Sequence, residues 1–258
     1  NGNGFPYGGG MSNEFCSPTV RNCTFTGNSG GGMYNEEYSP TVSHCTFSGN
    51  TVCYGGGMHN VYAGPTVRNC VFLENTADTG GGMHNYSSSP TVTNCTFTRN
   101  TADDDGGGMY NESSSPTVKN CIFWGNVSRC DLSEISGDGS PTVTYSCVQG
   151  GYAGVGNIDV DPLFWNVLVG DVRLHPASLC LDTGTGSGAP TTDLRGVARP
   201  QGAGVDMGAY EMIEGDTDGD GLMDEFEATW SHTEANDPDS DDDGTSDGDE
   251  WFSFRTYH

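Results

Sequence analysis

Of the chain's 35 acidic side chains, 16 fall in residues 214–258, beside a single base, and their spacing points to metal chemistry. Across 216–227, Asp216, Asp218, Asp220, Asp224 and Glu227 occupy loop positions 1, 3, 5, 9 and 12. Gly221 stands at position 6, and Leu222 offers a backbone carbonyl at position 7. Across 239–250 the pattern returns in Asp239, Asp241, Asp243, Gly244, Thr245, Asp247 and Glu250. Calcium takes six to eight oxygens, and its loop uses a glycine for the sharp turn and a bidentate carboxylate at position 12. The spacing predicts two Ca2+ sites. A disordered acidic tail has no cause to keep this register twice, and no apolar groove accompanies the loops, so the ions are expected to stiffen the segment rather than signal.

Other reactive side chains are sparse. Six of ten cysteines, Cys23, Cys45, Cys70, Cys95, Cys121 and Cys147, lie 22 to 26 residues apart. Zinc sites need cysteine pairs a few residues apart, so these read as a buried column of small hydrophobes. Cys16, Cys53, Cys130 and Cys180 are the disulfide candidates, with Cys147–Cys180 as a further pairing if the later segment packs on the last repeat. Lys119 is the one lysine, and it shares an outward column with Arg68. Ser12, Tyr34, His59, His84 and Tyr110 form an outward column whose rings could stack on sugars or serve only as a surface ladder. No complete acid–base constellation emerges, so no catalytic residue is assigned.

The elements that must position these groups follow from an internal repeat. Gly-Gly-Gly-Met-x-Asn, a polar stretch, then Pro-Thr-Val-x-x-Cys-x-Phe-x-x-Asn recurs five times, with methionines at 11, 33, 58, 83 and 109. A fixed period of this size means stacked units, none of which can bury its apolar face alone. Short alternating apolar positions among glycines and β-branched residues read as strands of a few residues. One coil of a right-handed parallel β-helix fits, and five to six coils are expected. The methionines, valines, cysteines from Cys23 to Cys147 and phenylalanines should form inward stacks. Asn28, Asn50, Asn75, Asn100 and Asn126, and Asn13, Asn35, Asn60, Asn85 and Asn111, should form amide ladders. Arg21, Ser43, Arg68, Thr93, Lys119 and Thr144 form an outward column whose bases stand two coils, roughly 10 Å, apart, too far for a joint clamp without other partners.

Residues 8–150 resemble pectate-lyase-like right-handed β-helix proteins, a fold that hosts lyases, hydrolases, adhesins and fibres alike. Residues 157–211, through phrases such as Asn157-Ile-Asp-Val-Asp-Pro, Leu181-Asp-Thr-Gly and Gly204-Val-Asp-Met-Gly-Ala-Tyr-Glu, resemble the choice-of-anchor Q segment of bacterial surface proteins. Residues 214–250 are similar to thrombospondin type 3 repeats. The organisation expected is an all-β solenoid over 1–150, a segment over 151–213 capping its last coil, and an EF-hand-like calcium-binding segment over 214–258.

The net charge of −26 argues against nucleic acid and anionic membrane surfaces as partners. No stretch of ~18 apolar residues is present to cross a bilayer. The resemblances imply an extracellular or cell-surface location and a non-catalytic structural or adhesive role. No amphipathic helix caps the first coil, so earlier coils have been removed or copies stack head to tail into a filament; filament formation is the expectation, with surface polysaccharide as another partner. The alternative is a lyase or hydrolase of an acidic polysaccharide.

Overall fold

The computed structural model describes residues 9–130, 133–213, 215–220 and 222–254. Contacts divide the chain into two units, Asn1–Glu211 and Met212–His258. The first is an all-β solenoid, a right-handed β-helix of about five turns. Each coil lays short strands onto parallel sheets. The methionine sheet stacks Met11–Glu14, Met33–Glu36, Met58–Val61, Met83–Tyr86, Met109–Glu112 and Ile135–Gly137 in order. The valine sheet begins Thr19–Arg21, Thr41–Ser43, Thr66–Arg68, and the phenylalanine sheet begins Thr24–Thr26, Thr46–Ser48, Val71–Leu73. A fourth, shorter sheet comprises Thr51–Tyr54, Thr76–Thr79, Thr101–Ala102 and Val127–Ser128.

The register is set by identity: Met pairs with Met, Asn with Asn, Phe with Phe. Rings of Phe25, Phe47, Phe72, Phe97 and Phe123 stack with centroids 4.4–4.8 Å apart, the spacing between neighbouring parallel strands. Both asparagine columns form amide ladders, Nδ2 to the next Oδ1 at 2.7–2.9 Å. In the column that follows each Phe, Nδ2 also donates to a Phe carbonyl of the preceding coil. Turn carbonyls that would be buried without partners are thus satisfied. At the top of this ladder, Glu134 replaces the amide and accepts from both nitrogens of Asn126. The glycine triplets are required by close approach. A β-carbon on Gly82 would lie 2.5 Å from the Gly108 carbonyl oxygen and 2.9 Å from Cδ1 of Phe97.

Two columns differ from expectation. The cysteine column runs from Cys23 to Cys121 and ends at Ser146, whose hydroxyl accepts from the Cys121 amide. Cys147 pairs in register with Ile122, one residue on, so it faces away from the core. There it packs with Ile122, Leu174, Cys180 and Met207, and its thiol contacts that of Cys180. That contact, with burial, pushes the Cys180 thiol upward and keeps it protonated. All ten cysteines carry free thiols; Cys16 and Cys130 are exposed and Cys53 is half-buried. The ring column differs as well: His59 and His84 are buried, 7% and 3% exposed, instead of forming an outward platform.

The segment after 150 closes the last coil and then runs back along the flank. The Tyr145 amide donates to the Val155 carbonyl, Val148 to that of Ile158 and Ile158 to that of Ser146, bonds that finish the solenoid. Farther on, Asn69, Asn94 and Asn120, on successive coils, donate to the carbonyls of Thr192, Asp206 and Thr185. These asparagines sit at the left-handed corner between the valine and phenylalanine sheets. The segment therefore acts as a lateral brace as well as an end closure. Asp161 and Asp193 accept the amides two residues on, as turn aspartates do. Asp159, Asp182 and Asp206 instead accept those of Gly150, Gly204 and Asp182, 9, 22 and 24 residues away, and tie separate stretches of the segment together. Arg199 and Glu211 form a buried ion pair inside the brace.

Candidate functional site

The second unit holds the acidic loops. Ligand oxygens of Asp216, Asp218 and Asp220 lie within 4.8 Å of one another, as do those of Asp239, Asp241 and Asp243. Each loop is wound by its own carboxylates. Asp216 Oδ1 accepts the Gly219 amide, and Asp220 Oδ1 accepts the Leu222 amide at 2.7 Å. Asp239 accepts the amides of Asp243 and Gly244, and Asp243 accepts that of Thr245. Gly244, at loop position 6, has φ +92°, where a side chain would be strained. Gly221, its counterpart, lies outside the described residues.

After each loop the chain turns helical, at Asp224–Phe226 continuing through Glu227–Ser231, and at Asp247–Phe254. This is how a position-12 glutamate is brought back to its loop. Glu227 is fully buried and its carboxyl is pushed up to about 7, by burial first and then by Asp218 and Asp220. Its Oε1 accepts from Thr233, while its Oε2 and Oδ2 of Asp218 are buried without a hydrogen-bond partner. Buried polar atoms are nearly always satisfied, and a hard cation is a partner that carboxylate oxygens can take. Glu250 is raised as well, by burial and by Asp243 and Asp241.

The position-9 aspartates behave differently from simple ligands. Asp224 accepts the amide and hydroxyl of Thr217, and Asp247 accepts those of Ser240. Asp247, from the second loop, also joins Asp220 and Glu227 of the first within 4.8 Å. Gly248 donates its amide to Asp220 at 2.8 Å. Loop spacing carries no signal for this crossing, because it depends on how the two loops pack. The oxygen-only donor set, with carboxylate clusters that repel one another unless neutralised, fits calcium.

In the first unit, the buried imidazoles lie among rings. His59 and His84 meet edge-to-face at 4.9 Å, Tyr54 of the fourth sheet leans on both, and Tyr34 and Tyr110 continue the column. Burial lowers His59 to about 3 and His84 to about 4, so both are neutral near pH 7. Lys119 is held by the brace, its Nζ donating to the Ser187 carbonyl at 3.0 Å. Asp103 pairs with Arg129 at 3.3 Å. Arg68, in contrast, lines a cavity of about 580 Å³ with Arg21.

Stacked strands, identity register and amide ladders define a parallel β-solenoid. The family described as right handed beta helix region matches residues 3–156, more than half of the chain, and the protein belongs to that family. No curated protein and no solved structure gives a match.

Proposed function

We propose that the protein is a non-catalytic structural or adhesive module of the cell exterior, whose second unit is loaded with two calcium ions. The observation that carries the calcium reading is the pair of three-aspartate clusters, with Glu227 buried beside the first. Asp216, Asp218, Asp220, Leu222, Asp224 and Glu227 are the proposed first site, with Asp239, Asp241, Asp243, Thr245, Asp247 and Glu250 the second. The structural role is supported by the use of side chains across the solenoid. Asn, Cys, Phe and Met columns bond or pack coil to coil, the central imidazoles are buried and neutral, and Lys119 is engaged by the brace. Stacking of copies end to end is the assembly we propose for such a module, since head-to-tail contacts that do not close give filaments.

The test has two arms on the calcium-loaded chain. Sedimentation over a wide concentration range should show growing assemblies, and incubation with a panel of acidic polysaccharides should release neither unsaturated ends nor new reducing ends. Persistent monomers would remove the stacking claim. Product formation abolished by Lys119→Ala or Arg68→Ala would make the protein a lyase or hydrolase instead.

A further inference from the structure

Where the methionine sheet meets the fourth sheet, its outward face carries a cavity of about 350 Å³. The floor is the ring column, with Tyr34, His59 and His84 in register on neighbouring strands and all three buried. Two residues farther along the strands, and so on the same face, Val61, Tyr86 and Glu112 line it as well. Tyr54, at the end of Thr51–Tyr54 in the fourth sheet, closes another side and is 40% exposed. These rings do not make a platform. Tyr34 meets His59 at 65°, His59 meets His84 at 84°, and Tyr54 tilts over His84 at 55°, with centroids 4.9–5.4 Å apart. A flat ligand finds no single plane to stack on, whereas ring faces turned in several directions suit a compact group.

Electrostatics decides the sign of that group. Glu112 is the one charged side chain of the lining, which among the described residues includes no lysine or arginine. His59 and His84 are held neutral by burial. Tyr110, next in the column after His84, has its hydroxyl pKa raised by burial and then by Glu112, Asp105 and Asp138, the mark of a negative field. Aromatic faces are themselves the negative side of the ring quadrupole and attract cations.

We propose that this cavity binds a quaternary ammonium group, enclosed by Tyr34, Tyr54 and Tyr86 with Glu112 as its counter-ion. A primary ammonium would bring three N–H donors to a lining whose only charged acceptor is Glu112. A trimethylammonium group spreads its charge over methyls, needs no hydrogen bond, and gains from ring faces and a carboxylate alone. A volume of about 350 Å³ lies within the range of small-molecule sites.

The site lies in the first unit and goes beyond the calcium and stacking reading; it would stand if either of those failed. The calcium-loaded chain is titrated calorimetrically with choline, phosphocholine, ethanolamine and neohexyl alcohol, the uncharged carbon isostere of choline. Choline or phosphocholine should saturate at one per chain, and the tighter of the two tells a free ammonium alcohol from a phosphate-bearing headgroup. Neohexyl alcohol lacks the charge and ethanolamine lacks the methyls, so each should bind about fivefold or more weakly. This comparison tests the charge requirement without any substitution. Glu112→Gln and Tyr54→Leu should each weaken choline binding by a similar factor. Glu74→Gln, which removes the same charge where it pairs with Arg99, should leave it unchanged. Circular dichroism checks that each variant is folded. Binding of neither trimethylammonium ligand, equal binding of neohexyl alcohol or of ethanolamine, or indifference to both substitutions would overturn the proposal.

Discussion

Glu134 shows how far one side chain can depart from the rule of its column. It stands where the ladder would place an asparagine, buried, and burial pushes its carboxyl up to about 7 despite two hydrogen bonds from Asn126. A raised folded-state pKa means that the native chain keeps its proton while the unfolded chain has released it. Stability should therefore fall as pH rises from about 4.5 to 7, and stay lower above. Glu134→Gln, which extends the amide ladder without a charge, should gain about 1–3 kcal/mol at pH 8 and little at pH 4. Urea unfolding of both proteins at the two pH values measures this, and an equal difference at both would refute the charge argument. The asparagine, methionine and phenylalanine columns were legible in sequence because each residue contacts its own copy one period away. Cys147 was not: counting cysteines placed it inward, but three residues after Val143 comes Ser146, and the one-residue slip turns the thiol outward. The burial of His59 and His84 was also hidden, because Tyr54, which covers them, belongs to a strand outside the repeated phrase.

Among elements, the brace was the least legible. Where it lies depends on Asn69, Asn94 and Asn120, whose amides reach carbonyls 65 to 123 residues away. Its internal anchor is Arg199, which donates to Glu211 and to the carbonyls of Asp206 and Gly208. Removing one member of a buried pair leaves an uncompensated charge, which typically costs about 3–5 kcal/mol, whereas replacing both by apolar residues is often close to neutral. Arg199→Met should accordingly destabilise the first unit by that amount, and Arg199→Met with Glu211→Met should recover most of it. Denaturant midpoints of the two variants decide; a single substitution costing under about 1 kcal/mol would mean the brace is not held by this pair.

At the scale of the whole molecule, the charge is concentrated rather than diffuse. The solenoid, weakly charged, is held by columns of packed and hydrogen-bonded side chains, while residues 214–258 gather 16 acids against one base. Such a unit is expected to be ordered by its ions; the acidic residue types and their spacing were legible in the sequence, the approach of Asp247 to Asp220 and Glu227 was not. On the proposed reading, calcium builds this second unit and leaves the first untouched. Hydrogen exchange of the whole chain, with calcium and after chelation, separates the two units. Two ions should bind per chain, with protection across Met212–His258 that is lost on chelation while that of the β-helix persists. Failure to take up calcium, or protection in 212–258 that is the same with and without it, would show that calcium does not build the unit.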